Sequence, residues 1–216
     1  LKYAKKRFYE MYEDQNNYAD FDIPLVEYLA LDTYEQDLIK GVGSDGLEFG
    51  LKASEYLVLH EKRPKNILKR NSFIQKEWFP RMSSFTALEE GSGAGQIRSL
   101  GRLSLMSNYE KIKQKITKKV QNLTNWEQGQ DSDYDAMGSE INVVFCFSIA
   151  GGTGSGTFLD VAYVVKSALE DSQVEYKSQA YIVMPEIFDK IISNPLGKRR
   201  IYSNTYAALR ELEFFM

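Results

Sequence analysis

The sequence predicts an α/β fold with a mainly parallel sheet flanked by helices, and three observations carry that expectation. Ile141, Val143, Val144, Phe145, Cys146 and Phe147 form a nearly continuous apolar run, as expected of a strand buried on both faces. A glycine-rich turn joins it to Phe158, Val161, Ala162, Val165, Ala168 and Leu169, whose three- and four-residue spacing marks an amphipathic helix. Residues 180–184 (AYIVM) form a further apolar run that stops at Pro185. Residues 141–184 therefore read as a strand–helix–strand unit with parallel strands and a right-handed crossover. Ligands of such sheets bind at the carboxyl ends of the strands.

The turn itself runs Ala150-Gly151-Gly152-Thr153-Gly154-Ser155-Gly156-Thr157. A strand that passes through glycines into a helix presents unpaired N–H groups at the positive end of the helix dipole, a ready site for phosphate. Gly154 reads as the point where backbone must approach the ligand, so Gly154→Val is expected to abolish binding without unfolding. A Walker loop, GxxxxGK(S/T), needs Lys where Thr157 stands, and a dinucleotide fingerprint needs glycine where Leu159 stands. Both fail. The stretch instead resembles the signature loop of the tubulin/FtsZ superfamily, GGGTG(S/T)G, at every position except the first, where Ala150 replaces glycine.

A second glycine-rich stretch, residues 89–102 (EEGSGAGQIRSLGR), places Gly91, Gly93 and Gly95 before another predicted helix, marked by Leu105, Tyr109, Ile112, Ile116, Val120 and Leu123. It resembles the third loop of FtsZ-like proteins, GAGxxPxxGR, through Gly93-Ala94-Gly95 and Gly101-Arg102, with Arg98 in the proline position. The lysines at 111, 113, 115, 118 and 119 lie largely off the apolar stripe and read as solvated.

Residues 25–31 (LVEYLAL) read as a strand ending at Asp32. The resemblance gives Asp32 a place beside the phosphates and magnesium, while the same residue followed by Thr33 would equally cap a short helix. Residues 41–46 (GVGSDG) fit GxGxxG literally but lack a strand-to-helix setting, and read as a loop. Residues 54–59 fit a strand or a helix end, and residues 61–70 form a basic turn and helix of the kind that is solvated. Residues 186–200 resemble the ribose-side loop, with Gly197-Lys198-Arg199-Arg200 similar to GRKR. Tyr202-Ser203-Asn204-Thr205 is expected to open the last helix where tubulin has YNAT, which makes Asn204 a guanine ligand by resemblance or else an N-cap. Residues 1–16 read as a helix with Lys2, Lys5, Lys6 and Arg7 on a solvated face.

Composition sets the bounds. The 216 residues are 43% hydrophobic with a net charge of −3, so a sizeable core is available and no basic excess suggests nucleic acid. His60 has no neighbouring co-ligand, and Asp131, Asp133 and Asp135 lack the closing Glu of a calcium loop. Cys146, the only cysteine, reads as a small buried hydrophobe. No apolar run is long enough for a membrane span, and a cytoplasmic location is the expectation.

The resemblance implies a three-layer α/β nucleotide-binding domain over residues 1–216, incomplete at both ends. It implies GTP or GDP with Mg held by Gly93, Ala94, Gly95, Gln96, Gly151, Gly152, Thr153, Gly154, Ser155, Gly156, Asp32, Arg200 and Asn204, with Asp32 toward the metal. It further implies a filament-forming cytoskeletal GTPase that associates head to tail. The alternative is a non-polymerising nucleotide-binding switch or enzyme on the same fold. The acidic loop NxDxx(D/E) that completes hydrolysis in the family has no match here, so no catalytic residue is nominated.

Overall fold

Pairs of parallel strands packed on one side against amphipathic helices make up the architecture. The computed structural model describes residues 1–12, 25–40, 50–59, 64–79, 93–125 and 140–215, without the side chains of residues 9, 12 and 64–66. Their elements run α1 (Lys2–Tyr12), β1 (Ala30–Asp32), α2 (Glu35–Ile39), β2 (Tyr56–Val58), α3 (Pro64–Arg70), α4 (Ser72–Trp78), α5 (Arg98–Ser107), α6 (Tyr109–Thr124), β3 (Ile141–Ser148), α7 (Gly152–Asp171), β4 (Tyr176–Val183), a 3-10 turn (Pro185–Phe188) and α8 (Pro195–Phe215). The sequence features at residues 41–46, His60, Gly91 and 131–135 fall outside the described residues.

Both strand pairs are parallel. β1 aligns Ala30 with Tyr56 of β2, and β3 aligns Ile141 with Tyr176 of β4. The expected strand–helix–strand unit is therefore β3–α7–β4. The main core joins Leu105 of α5, Ile112, Ile116 and Val120 of α6, and Val164, Ala168 and Leu169 of α7. Leu29, Leu31 and Leu57 from one strand pair and Ile141 and Val143 from the other pack against it. α8 joins a smaller cluster through Ala208 and Leu212, against Ile149, Phe147 and Phe158.

Several elements depart from their sequence-based expectation, each for a local reason. β1 is three residues long, since it pairs only with the three residues Tyr56–Val58 of β2, and it ends on Asp32; Leu25, at the start of the expected strand, sits at φ 64. β3 is not buried on both faces. Its side chains alternate, with Ile141, Val143, Phe145 and Phe147 half-buried toward α7 while Val144 and Cys146 are exposed. An apolar run does not reveal which of its two faces is covered. β4 begins four residues earlier than expected, and its central residues are exposed.

The helix expected through residues 105–123 is two helices. Asn108 breaks it by donating its side-chain amide to the Ser104 carbonyl at 2.8 Å, the competition with backbone bonding for which asparagine is disfavoured inside helices. α7 opens at Gly152, so most of the glycine turn is the helix's own first turn. α8 opens at Pro195, not near Tyr202, since Asn194 accepts from the Leu196 N–H at 2.9 Å and proline fits the first helical position.

The cationic residues are less solvated than expected. Lys5 of α1 is buried and paired with Glu55, just before β2. On α6, Lys119 reaches Glu27 at 2.7 Å and Lys115 donates to the carbonyls of Ala53 and Ser54 at 3.0 and 3.2 Å. These contacts fasten the β1–β2 unit to α6. Among the described residues, no helix is long and apolar enough to cross a membrane.

Candidate nucleotide site

The carboxyl ends of β1 and β3 and the amino ends of α5 and α7 meet in one place, and glycine permits the approach. A Cβ built on Gly101 of α5 would lie 2.3 Å from the Gly152 carbonyl oxygen, and one on Gly156 2.2 Å from that of Arg98. One on Gly152 would lie 2.7 Å from the Ile97 nitrogen. Backbone therefore touches backbone where the two helices begin. Neither helix start is capped by a side chain, because the N-cap positions are Ile97 and Gly151.

The glycines divide into two kinds. At Gly154 a Cβ would meet the Ser148 carbonyl oxygen at 2.2 Å, so Gly154→Val would disrupt packing and is not the clean binding variant expected from sequence. At Gly151 and Gly95 a Cβ would meet nothing within 4 Å. Gly93, Gly95 and Gln96 all adopt positive φ, at 66, 53 and 64, which aims the 93–96 turn. Ser155 and Thr157 fold their hydroxyls back onto the carbonyls of Gly151 and Thr153, settling those groups within α7.

A hydroxyl network joins three separated segments. Thr33 Oγ1 accepts from the Ala94 N–H at 2.8 Å and lies 2.7 Å from Thr153 Oγ1. Thr153 also lies 3.3 Å from Asp32 Oδ1, which accepts from the backbone N–H groups of Thr33 and Tyr34 at 2.6 and 3.1 Å. Asp32 does not cap α2, whose N-cap is Tyr34. Its carboxylate instead holds the turn after β1 against the start of α7, while the Thr33 hydroxyl links that turn to the 93–96 loop. Among the described residues, no group of three or more His, Cys, Asp or Glu side chains gathers to hold a metal.

Asn204 is interior to α8, so it is not an N-cap. Its amide donates to the Gln96 carbonyl at 3.0 Å and the Ala150 carbonyl at 2.9 Å, tying both glycine loops to one helix. Both N–H groups are thus used, while Oδ1 keeps its acceptor capacity. Arg200 lies exposed in α8 and is not brought to the loops by any contact among the described residues. The start of α8 does adjoin them, since a Cβ on Gly197 would lie 3.9 Å from Gln96 Oε1. Beside it, Tyr202 donates to Asp189 at 2.7 Å, and that bond pushes its phenol above the usual range.

Thr33, Gly101 and Arg98 were not nominated from sequence. Thr33 follows a strand end directly, and Gly101 lies six residues past Gly95, so both had a positional signal; Arg98 had only its departure from proline. Arg102 turns away from the loops, pairing with Asp160 at 3.0 Å and stacking on Trp78 at 4.5 Å. A separate cavity of about 210 Å³, lined by Val143, Phe145, Leu159, Tyr163 and Tyr176, lies between α7 and the β3–β4 pair and is not part of this site.

No curated protein and no solved structure matches the chain. A family model described as tubulin-like matches residues 3–215, nearly the full length, and its span includes all the loops that meet at the carboxyl ends of the strands. With parallel strands, a helix-starting glycine loop and this match in agreement, the chain belongs to the tubulin-like family.

Proposed function

We propose that this chain binds a guanine nucleotide, GTP or GDP, at the meeting point of α5, α7 and the Asp32–Thr33 turn. The observation that carries the reading is the convergence of two helix amino termini without side-chain caps, at glycines in backbone contact. Open space beside Gly95 and Gly151 leaves room for phosphate oxygens next to the N–H groups of both loops. Gly93, Ala94, Gln96, Gly152, Thr153, Gly154, Ser155 and Gly156 complete the cradle, by direct contact or by fixing its shape. Arg200 is assigned to the ribose side, on its position in α8.

Magnesium fits this donor set as a phosphate-borne ion. With Asp32 as the one carboxylate of the hydroxyl network, most of its ligands would be phosphate and water oxygens. When bound it neutralises phosphate charge. Base choice falls to Asn204, whose Oδ1 can accept from the N–H groups on the Watson–Crick edge of guanine, a donor pattern adenine lacks.

We assign the protein to the cytoplasmic, filament-forming GTPases of its family, associating head to tail. The exposed apolar side chains of Ile187, Ile191 and Leu196, just before the Gln96 contact, support a protein partner at the nucleotide end. The test is calorimetry with GTP, ATP and NAD in the presence of Mg, on the parent, Gly151→Val and Asn204→Ala. Gly151 has an extended backbone at φ −81 and ψ 176, so valine is tolerated there. GTP should bind the parent and be lost from a folded Gly151→Val, and Asn204→Ala should narrow the GTP/ATP ratio. Parental GTP affinity in Gly151→Val would remove the phosphate-loop assignment. Light scattering with GTP and Mg checks assembly.

A further inference from the structure

We propose that Arg98 is a positioning residue that clamps the first turn of α7 between α5 and α8, and so sets the shape of the phosphate-facing loop. The functional half of this inference rests on the nucleotide reading above.

Arg98 is the first residue of α5, where a cation opposes the helix dipole. Local helix energetics therefore do not favour it there, and its tertiary contacts account for its orientation. Its guanidinium donates twice to one oxygen, the Ser155 carbonyl, from Nε at 3.1 Å and Nη2 at 2.8 Å. Nη2 also meets the Glu211 carboxylate of α8 at 2.5 Å. The side chain is 19% exposed, so this ion pair is partly shielded from water. Ser155 is fully buried, in the first turn of the helix that carries the signature glycines. The Arg98 carbonyl is also the group that presses on Gly156, so one residue grips α7 by backbone and by side chain.

α8 supplies the other half of the clamp. Glu211 lies seven residues after Asn204, two turns along one helix face. Asn204 holds the Gln96 and Ala150 carbonyls, and Glu211 holds Ser155 through Arg98. α8 thereby spans the two glycine loops at two points, and the planar fork of arginine is what links the second. Lysine keeps the charge but offers no fixed pair of donors.

The variants are Arg98→Lys, Glu211→Gln and their combination, in the complete protein. Hydrogen exchange without ligand reads the loop directly. In Arg98→Lys, exchange of the amides of residues 155–158, the first to be hydrogen-bonded within α7, should rise about tenfold, while the α6 amides stay at parental rates. GTP affinity should fall by about tenfold, with the urea midpoint little changed. Glu211→Gln keeps an acceptor for Arg98 and should show a smaller effect, and the double variant should be no worse than Arg98→Lys, because both act through one path. Unchanged exchange at 155–158 overturns the positioning role whatever the parent binds. Weaker binding that merely tracks lost stability also overturns it. A parent that binds no nucleotide would fail the reading of the site, while the exchange result still decides the role of Arg98.

Discussion

Within six residues, glycine serves two purposes in this chain. Gly151 borders open space, whereas Gly152, Gly154 and Gly156 sit where another backbone group already stands. The difference is measurable. Gly154→Ala and Gly101→Ala should each lower unfolding stability by about 1–3 kcal/mol, the usual cost of overpacking, while Gly151→Ala should stay within about 0.5 kcal/mol. Urea midpoints of the three variants check this, and equal midpoints would contradict the close contacts. The glycine loop was legible in sequence because its spacing and its place after a strand are local properties. The division of labour among the glycines was not, because it depends on Ser148, Ile97 and Arg98, which approach from outside the motif. Asn204 shows the same limit. Its neighbourhood suggested a helix start, yet it sits deep in α8, and the true start signal was the Asn194-Pro195 pair.

Among the elements, α1 depends most on a distant partner. The sequence reads as a basic helix there with Lys5 in solvent, because Glu55 is fifty residues away and no local pattern links them. The docked Lys5 also lies 5.8 Å from the ring of Tyr28, whose hydroxyl is buried without a hydrogen-bond partner among the described residues. Burial, and secondarily the charge of Glu55, pushes that phenol from 10.0 up to about 12. The fold thus favours the neutral phenol. Its contribution is fully present below pH 10 and is lost as pH rises from 10 toward 12, because the unfolded chain releases this proton first. Tyr28→Phe should remove that alkaline loss and, by deleting an unpaired hydroxyl, stabilise by about 1 kcal/mol at neutral pH. Urea unfolding at pH 8 and above pH 10 tests both, and a destabilised Tyr28→Phe would show that the hydroxyl has a partner. The lysines of α6 repeat the lesson: they lie off the apolar stripe as read, but Lys115 and Lys119 bind the β1–β2 unit because Glu27 and the 53–54 carbonyls face them.

At the scale of the whole molecule, the candidate site is assembled from strand ends and loops far apart in the chain, at residues 32–33, 93–96, 150–156 and 204. A ligand seated there bridges segments that otherwise meet through backbone packing at glycines and a few hydroxyl and amide contacts. GTP with Mg should therefore raise unfolding stability by about 2.7 kcal/mol at a hundredfold excess over its Kd, and ATP by less at the same concentration. Thermal unfolding across a GTP titration reads this, and a midpoint indifferent to GTP would count against the site. The α/β class and the parallel pairing were legible because strand, glycine turn and helix follow one another in order. The coverage of each sheet face was not, since that is decided by which helices fold back.

The open face of β3 has a practical consequence. The chain's single cysteine, Cys146, is exposed there, on the side of the strand away from α7. A thiol-reactive fluorophore or spin label would attach at one defined point without any engineered substitution. Its quenching or line shape would register whatever comes to rest on that face, whether another part of the protein or a second molecule, during assembly and in real time.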